Sequence, residues 1–170
     1  MSGIVVSVCC TGIVKEGTAA MAYEFQVAVE CAEPHTLADW WAETLGWQVE
    51  QQDEEFIRRM ISAGHATESD TARHKGALVW KEGAAIRHPE GLQRAPRMLF
   101  QVVPEAKTVK NRVHLDVRIG TDDVDLTVAG LVARGAKVLH NGRQGPHMWV
   151  TLTDPEGNEF CVSPSAAPTE

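Results

Sequence analysis

The chain carries two stretches with the same pattern, FQVAVE at residues 25–30 and VHLDVR at residues 113–118. In each, apolar residues alternate with polar or small ones, which is the period of a β-strand. A segment with helical spacing follows each stretch and ends at a glycine, after which comes a second strand: LGWQV at 45–49 and RGAKV at 134–138. An internal repeat of this kind predicts two copies of one supersecondary unit.

Each copy also closes on a similar strand, FQVVP at 100–104 in the first and FCVSP at 160–164 in the second. The order strand-helix-strand-strand-strand, read twice, predicts two βαβββ modules over about residues 22–104 and 111–164, with segment 53–75 as an addition to the first. Aligning the copies places four residues at equivalent points, namely Gln26, Leu99, His114 and Glu159.

Local signals divide the chain into elements. Pro34 suits a helix start, and the following apolar residues fall at helical spacing, so Trp40 and Trp41 are expected in the core. Thr121 is the expected N-cap of the second module's helix, which Gly135 ends. Further strands are predicted at 22–30, 77–80, 97–103, 147–153 and 159–163, and a further helix at 54–62. The connecting segments are predicted to be a loop with a short helix at 63–75, a long turn at 81–96, a hinge at 104–110 and a turn at 154–158.

Composition narrows the class of protein. The 170 residues include 16 basic and 23 acidic side chains, a net charge of −7, which argues against nucleic acid or an anionic membrane as a partner. No apolar run reaches the length of about 20 residues that spans a bilayer. Four cysteines without a CxxC pair predict free thiols in a reducing cytoplasm. We expect one domain at residues 21–165, an N-terminal extension at 1–20 and a short tail at 166–170.

The closing turn and strand, DPEGNEFCV at residues 154–162, resemble a signature of the vicinal-oxygen-chelate superfamily. This superfamily includes glyoxalase I, extradiol dioxygenases, fosfomycin-resistance transferases and bleomycin-resistance proteins. A tryptophan shortly upstream, Trp149, strengthens the resemblance to the glyoxalase-like branch that is common in actinobacteria. The resemblance covers about residues 22–164. It implies an α+β fold in which two βαβββ modules form one curled mixed sheet, with the site inside the cup and the helices outside.

Strand alternation divides the residues between the two faces of that sheet. Met148, Val150 and Leu152 are expected to pack outward, away from the cup. The expected pocket residues on the cup face are Leu99, Gln101, Asp116, His147, Trp149 and Cys161.

The resemblance also implies a position for a metal. Relatives that bind a divalent ion take ligands at positions that correspond here to Gln26, Leu99, His114 and Glu159. Three of these can coordinate an ion such as Zn²⁺, Ni²⁺, Mn²⁺ or Fe²⁺, whereas Leu99 cannot. Other relatives have lost the metal and kept the cup, so the expected cofactor is one divalent metal or none.

Two functions follow from the resemblance. In the first, a metal on Gln26, His114 and Glu159 binds two neighbouring substrate oxygens, and His114 and Glu159 serve lyase or isomerase chemistry of the glyoxalase type. Extradiol dioxygenation fits less well, because it usually has a second histidine where Gln26 stands. In the alternative, a metal-free binding protein of the bleomycin-resistance kind holds a small aromatic or cationic molecule against Trp149, with Trp80 as a second candidate contact. For either function we expect a homodimer, because relatives usually cover the edges and apolar flank of such a curled sheet by pairing.

Overall fold

The computed structural model describes residues 23–165, so the predicted extension at 1–20 and the tail at 166–170 lie outside the described residues. The elements of the first module are β1 (Val27–Cys31), α1 (Pro34–Leu45), β2 (Gln48–Val49), α2 (Glu54–Ser62), a 3₁₀ turn (Glu68–Asp70), β3 (Thr71–His74), β4 (Ala77–Trp80), β5 (Gly83–Arg87) and β6 (Met98–Val102). Those of the second are β7 (Leu115–Arg118), α3 (Val124–Ala133), β8 (Lys137–Gln144), β9 (His147–Thr153) and β10 (Glu159–Ser163).

The two modules share one topology. The first sheet has the strand order β1-β6-β5-β2 and the second has β7-β10-β9-β8. In each, the first and last strands of the module pair in parallel and the other neighbours pair antiparallel. The predicted α+β fold of two βαβββ modules is confirmed. Within residues 23–165 hydrogen bonding joins the strands into two four-stranded sheets and a β3–β4 hairpin, in place of the one continuous sheet expected.

The helices begin and end where local chemistry places them. Helix α1 starts at Pro34 and ends at Gly46, which adopts the left-handed conformation at φ 65° that glycine tolerates best. Helix α2 is capped by Asp53, whose Oδ1 accepts a hydrogen bond from the Phe56 backbone nitrogen at 3.0 Å. Helix α3 is capped by Asp123, not by Thr121 as expected. No helix within residues 23–165 is long and apolar enough to cross a membrane.

The first module differs from the prediction between residues 63 and 96. The predicted turn at 81–96 contains strand β5, whose small residues Ala84 and Ala85 have low strand propensity but lie buried in the sheet. The predicted loop at 63–75 contains β3, which pairs with β4 through a two-residue turn at Lys75 and Gly76, both with positive φ. Strand β4 is therefore part of an added hairpin, and β5 is the module's third strand.

A single core joins the two modules. Phe160 of β10 packs edge-on against Trp40 and Trp41 of α1, with ring centroids 5.8 and 5.0 Å away. Both tryptophans are buried, as expected. The Trp41 indole nitrogen donates to Oδ2 of Asp154 at 3.1 Å, and Asp154 is only 1% exposed. Helix α1 thus packs on its own sheet and on the closing strand of the other module.

Candidate functional site

The open face of the first sheet forms a cavity of about 590 Å³. Along β6, Met98 and Phe100 point into the core under α1, whereas Arg97, Leu99 and Gln101 line the cavity. Leu99 pairs with Ala85 on the neighbouring strand, so an apolar patch lies at the centre of this face. The expected pocket residues Leu99 and Gln101 therefore lie in one cavity.

The wall of this cavity is made by Trp80 and Glu82, just before β5. Gln52 holds the wall in place, because its side chain accepts from the Trp80 backbone nitrogen at 2.7 Å and donates to the Gly83 carbonyl at 2.9 Å. A Cβ at Gly83 would lie 3.0 Å from the Phe100 carbonyl oxygen, so only glycine fits there without a shift of the backbone. The cavity thus combines Trp80, the exposed carboxylate of Glu82 and an apolar floor with the Arg97–Glu50 ion pair, whose charges offset each other.

Gln26 lies just before β1 and is exposed. Its side-chain oxygen accepts a hydrogen bond from Arg97 at 3.0 Å. Arg97 is in turn fixed by Glu50, whose two carboxylate oxygens each lie 3.0 Å from the Arg97 Nε. The amide oxygen expected to bind a metal is therefore occupied by a guanidinium group.

Glu159 and His114 line a different space, a cleft of about 940 Å³ between the modules. The Glu159 carboxylate accepts from Lys107 at 3.1 and 3.3 Å and from the Asn111 backbone nitrogen at 3.0 Å. Desolvation acts to raise the pKa of Glu159, but hydrogen bonds from Asn111 and Lys107 and the Lys107 charge outweigh it, so the pKa lies below its ordinary value. Glu159 is an ionised carboxylate with a cationic partner.

Strand register corrects the alignment of the two modules. Val29 pairs with Phe100 in the first sheet, and Leu115 pairs with Phe160 in the second. Both phenylalanines are fully buried, so these two pairs correspond. The residues that precede them are Ala28 and Leu99 in the first sheet and His114 and Glu159 in the second. The residue that corresponds to His114 is therefore Ala28, and the expected match with Gln26 is two residues out of register.

The open face of the second sheet carries polar side chains in one row across the strands. The register places Asp116, Cys161, Thr151 and His140 side by side on β7, β10, β9 and β8. The Thr151 hydroxyl lies 3.2 Å from Nε2 of His140 and 3.5 Å from the Cys161 sulfur. His114 adds to one end of the row, with its Nδ1 3.2 Å from Oδ1 of Asp116.

Trp149 and His147 lie farther along the same hairpin. The Trp149 ring packs directly on the backbone of Gly142, where an added Cβ would come within 2.1 Å of the indole. His147 pairs with Gln144 at the end of the β8–β9 hairpin and is exposed. Of the outward residues expected on β9, Leu152 is in the core and Val150 packs against it, but Met148 is 60% exposed.

Several residues that shape these sites were not predicted from the sequence, among them Glu82, Arg97 and Lys107. Arg97 could have been found, since strand alternation places it on the same face as Leu99 and Gln101. Lys107 could not have been predicted as a site residue, because it lies in the segment between the modules. No periodicity in that segment indicates which way a side chain points.

A comparison with known protein families identifies the family to which the chain belongs. A family model described as a glyoxalase-like domain matches residues 26–163. The chain belongs to this glyoxalase-like family. Among curated protein sequences, none is significantly similar to this glyoxalase-like protein.

Solved structures share its fold. A mutant of the fosfomycin resistance protein FosX from Listeria monocytogenes, in complex with Mn(II) and 1S,2S-dihydroxypropylphosphonic acid, is 8% identical, with a TM-score of 0.57 over 86% of this chain and 94% of FosX. A protein from Agrobacterium tumefaciens is 15% identical, with a TM-score of 0.56 over 86% of this chain and 100% of its own. A glyoxalase/bleomycin resistance/dioxygenase family enzyme from Burkholderia phytofirmans is 15% identical, with a TM-score of 0.52 over 83% and 97% of the two chains. At these identities the likeness shows the fold alone.

The donor set expected from the superfamily does not fit a metal well in this glyoxalase-like protein. Gln26 is hydrogen-bonded to Arg97 and Glu159 to Lys107. A cation at either oxygen would have to displace a positively charged neighbour, at an electrostatic cost. By register, the first module would contribute Ala28 and Leu99, neither of which has a donor atom in its side chain. The superfamily position thus retains two donors from one module, His114 and Glu159.

Proposed function

We propose that this protein binds a small aromatic molecule, preferably a cation, in the cavity on the first sheet, without a metal held by Gln26, His114 and Glu159. The observation that carries the proposal is the combination of an apolar floor at Leu99 and Ala85 with the Trp80 and Glu82 wall. An indole face and a carboxylate together favour an organic cation through cation–π and Coulombic attraction.

The dimensions of the cavity support a small ligand. Its volume of about 590 Å³ lies within the range of about 300–1,000 Å³ that is usual for small-molecule sites. Such sites are mainly apolar with a few polar groups that orient the ligand. The cleft between the modules is larger but is lined by many charged side chains, among them Glu30, Lys107, Lys110 and Arg112. The first cavity is lined by fewer charged side chains, and two of them, Glu50 and Arg97, form an ion pair, so it is the site we favour for an aromatic ring.

A metal-dependent lyase or isomerase of the glyoxalase type is the second function that the family suggests. It would need the oxygens of Gln26 and Glu159 free to coordinate, and both accept hydrogen bonds from basic side chains. Ring-cleaving dioxygenation would need a further histidine in the first module, where register places Ala28. We therefore favour binding over these reactions.

The expected assembly and compartment are part of the proposal. Exposed apolar side chains on α3 and the β8–β9 hairpin, including Leu126 and Met148, give a homodimer a surface to cover. The described cysteines, Cys31 and Cys161, are both free thiols, which suits a reducing cytoplasm.

The test uses phenyltrimethylammonium, a small aromatic cation, in saturation-transfer NMR with a chelator present. We expect weak binding, with a Kd of about 1 mM for a ligand of about ten heavy atoms. Benzoate, an aromatic anion of similar size, should give a much weaker signal because Glu82 repels it. Glu82→Gln should reduce the difference in affinity between phenyltrimethylammonium and benzoate.

Leu99→Trp is the decisive variant, because the larger side chain fills the floor of the cavity. It should weaken phenyltrimethylammonium binding at least about tenfold. The matched control is Leu92→Trp, at a side chain that is 58% exposed and outside the cavity. The proposal fails if Leu99→Trp binds the probe as the unsubstituted protein does, or if binding requires an added divalent metal.

A further inference from the structure

We propose that the second sheet holds a Zn²⁺ site made by the His114 ring, the Asp116 carboxylate and the Cys161 thiolate. Their ligand atoms all lie within 4.8 Å of one another. Imidazole, carboxylate and thiolate are the three ligand types that zinc takes in proteins, and three protein ligands leave a fourth position open. This site goes beyond the proposed function, since it lies in the other module and has other ligands.

The distances require only small side-chain movements. With bonds of about 2.0–2.3 Å to each ligand, the edges of a zinc tetrahedron are about 3.3–3.7 Å. His114 Nδ1 and Asp116 Oδ1 are already 3.2 Å apart. Their side chains are 39% and 61% exposed, so neither is held in place by burial in the core. Cys161 is buried and fixed in β10, directly beside Asp116 in the register.

The residues behind the sulfur support a built site. Thr151 lies beside Cys161 in the row, with its hydroxyl 3.5 Å from the sulfur, and His140 lies 3.2 Å beyond Thr151. Partners of this kind orient a ligand and stabilise its metal-bound form. Zinc binds cysteine as the thiolate, so zinc binding at Cys161 would release the thiol proton to solvent.

This set differs from the ligands implied by the superfamily. It shares His114 but replaces Gln26 and Glu159 with Asp116 and Cys161. Glu159 is paired with Lys107 and is not one of the proposed ligands. A thiolate ligand also changes the preferred ion, because sulfur favours zinc over the hard cations Mn²⁺ and Mg²⁺.

Cobalt is a spectroscopic probe for such a site. The full-length protein with Cys9→Ser and Cys10→Ser, freed of metal, is titrated with Co²⁺ in the absence of reductants that bind metal. We expect one Co²⁺ per chain, a near-ultraviolet thiolate-to-cobalt charge-transfer band, and loss of that band when Zn²⁺ is added. Mn²⁺ should not displace the cobalt.

Variants assign the ligands. Cys161→Ser should abolish the charge-transfer band, whereas Cys31→Ser, at the other described thiol, should leave it unchanged. His114→Ala and Asp116→Asn alter exposed side chains and should fold normally while weakening Co²⁺ binding at least about tenfold. Glu159→Gln should have little effect on the Co²⁺ affinity.

Three results would overturn the site. These are the absence of a charge-transfer band, a band that persists in Cys161→Ser, or a loss of affinity in Glu159→Gln as large as in Asp116→Asn. Binding of phenyltrimethylammonium in the presence of a chelator is a separate readout, so failure of the zinc site leaves the proposed function untouched.

Discussion

The two modules have the same strand order, yet their open faces differ in chemistry. In the first sheet, Ala85, Leu99 and Gln101 give an apolar face with one amide. In the second, Asp116, Cys161, Thr151 and His140 give a polar, titratable row. This difference in chemistry is the basis for proposing an organic ligand at one copy of the backbone unit and a metal at the other, because the function of a fold depends on the residues placed on it.

The largest predicted effect tests whether the modules, despite these differences, are one folding unit. Phe100→Ala and Phe160→Ala each remove a buried ring from the common core and should cost about 3–5 kcal/mol. Urea unfolding followed by tryptophan fluorescence and by far-ultraviolet circular dichroism should show one coincident transition for both variants. Val132→Ala, at an exposed site, is the control. Two separate transitions would mean that the modules unfold independently.

A smaller effect on stability is expected at the turn before β10 in the second module. Asp154 is buried and accepts hydrogen bonds from Trp41, from the backbone nitrogens of Glu156 and Asn158, and from the Asn158 side chain. Asp154→Ala should lower the free energy of unfolding by about 2–4 kcal/mol, since each buried donor left without an acceptor costs about 1–3 kcal/mol. Thermal unfolding measures the loss. A change below about 0.5 kcal/mol would show that the turn does not depend on these bonds.

The third prediction concerns Glu159, whose place in the first module is taken by Leu99. Its pKa is lowered in the folded state, so its contribution to stability is present above the unfolded pKa and is lost as pH falls through the folded pKa. Glu159→Gln should therefore cost about 1 kcal/mol near neutral pH. Urea unfolding across a range of pH should show this cost disappearing in acid.

Glu30→Gln, at an exposed carboxylate, is the matched control and should change stability little at any pH. If the cost of Glu159→Gln persists unchanged in acid, the ion pair with Lys107 does not stabilise the fold.

The smallest effect on protomer stability is expected on the outer surface of the second module. Leu126 is 75% exposed on α3, so Leu126→Asp should change the free energy of unfolding by less than about 0.5 kcal/mol. If this surface covers its counterpart in a homodimer, the same substitution should shift the protein to monomers in light scattering. An unsubstituted protein that is monomeric at micromolar concentration would refute the dimer.

The sequence predicted the helices well because their signals are local. Pro34 and the apolar spacing gave α1, and helix α2 occupies the predicted residues 54–62. Strand β5 was missed because alanine-rich segments have little strand propensity, and only tertiary packing buries Ala84 and Ala85.

The candidate site was harder to predict, because strand periodicity fixes the face of a residue but not its partner. A shift of two residues keeps every side chain on the same face, so Gln26 and Ala28 matched His114 equally well in alternation. Only the pairing of Val29 with Phe100 and of Leu115 with Phe160 distinguishes them. Strand alternation predicts that Asp116 lies on the same face as His114, but it does not predict that the ligand atoms of His114, Asp116 and Cys161 lie within 4.8 Å of one another.

The most direct test of the difference between the modules is phenyltrimethylammonium binding by Leu99→Trp and His114→Ala, measured side by side by saturation-transfer NMR. Each variant is measured with a chelator and again with Mn²⁺. We predict that Leu99→Trp binds the probe at least about tenfold more weakly than the unsubstituted protein, whereas His114→Ala binds it with unchanged affinity. Mn²⁺ should change neither result. Loss of binding in His114→Ala, or binding that appears only with Mn²⁺, would contradict the account and place the ligand at the metal position of the superfamily.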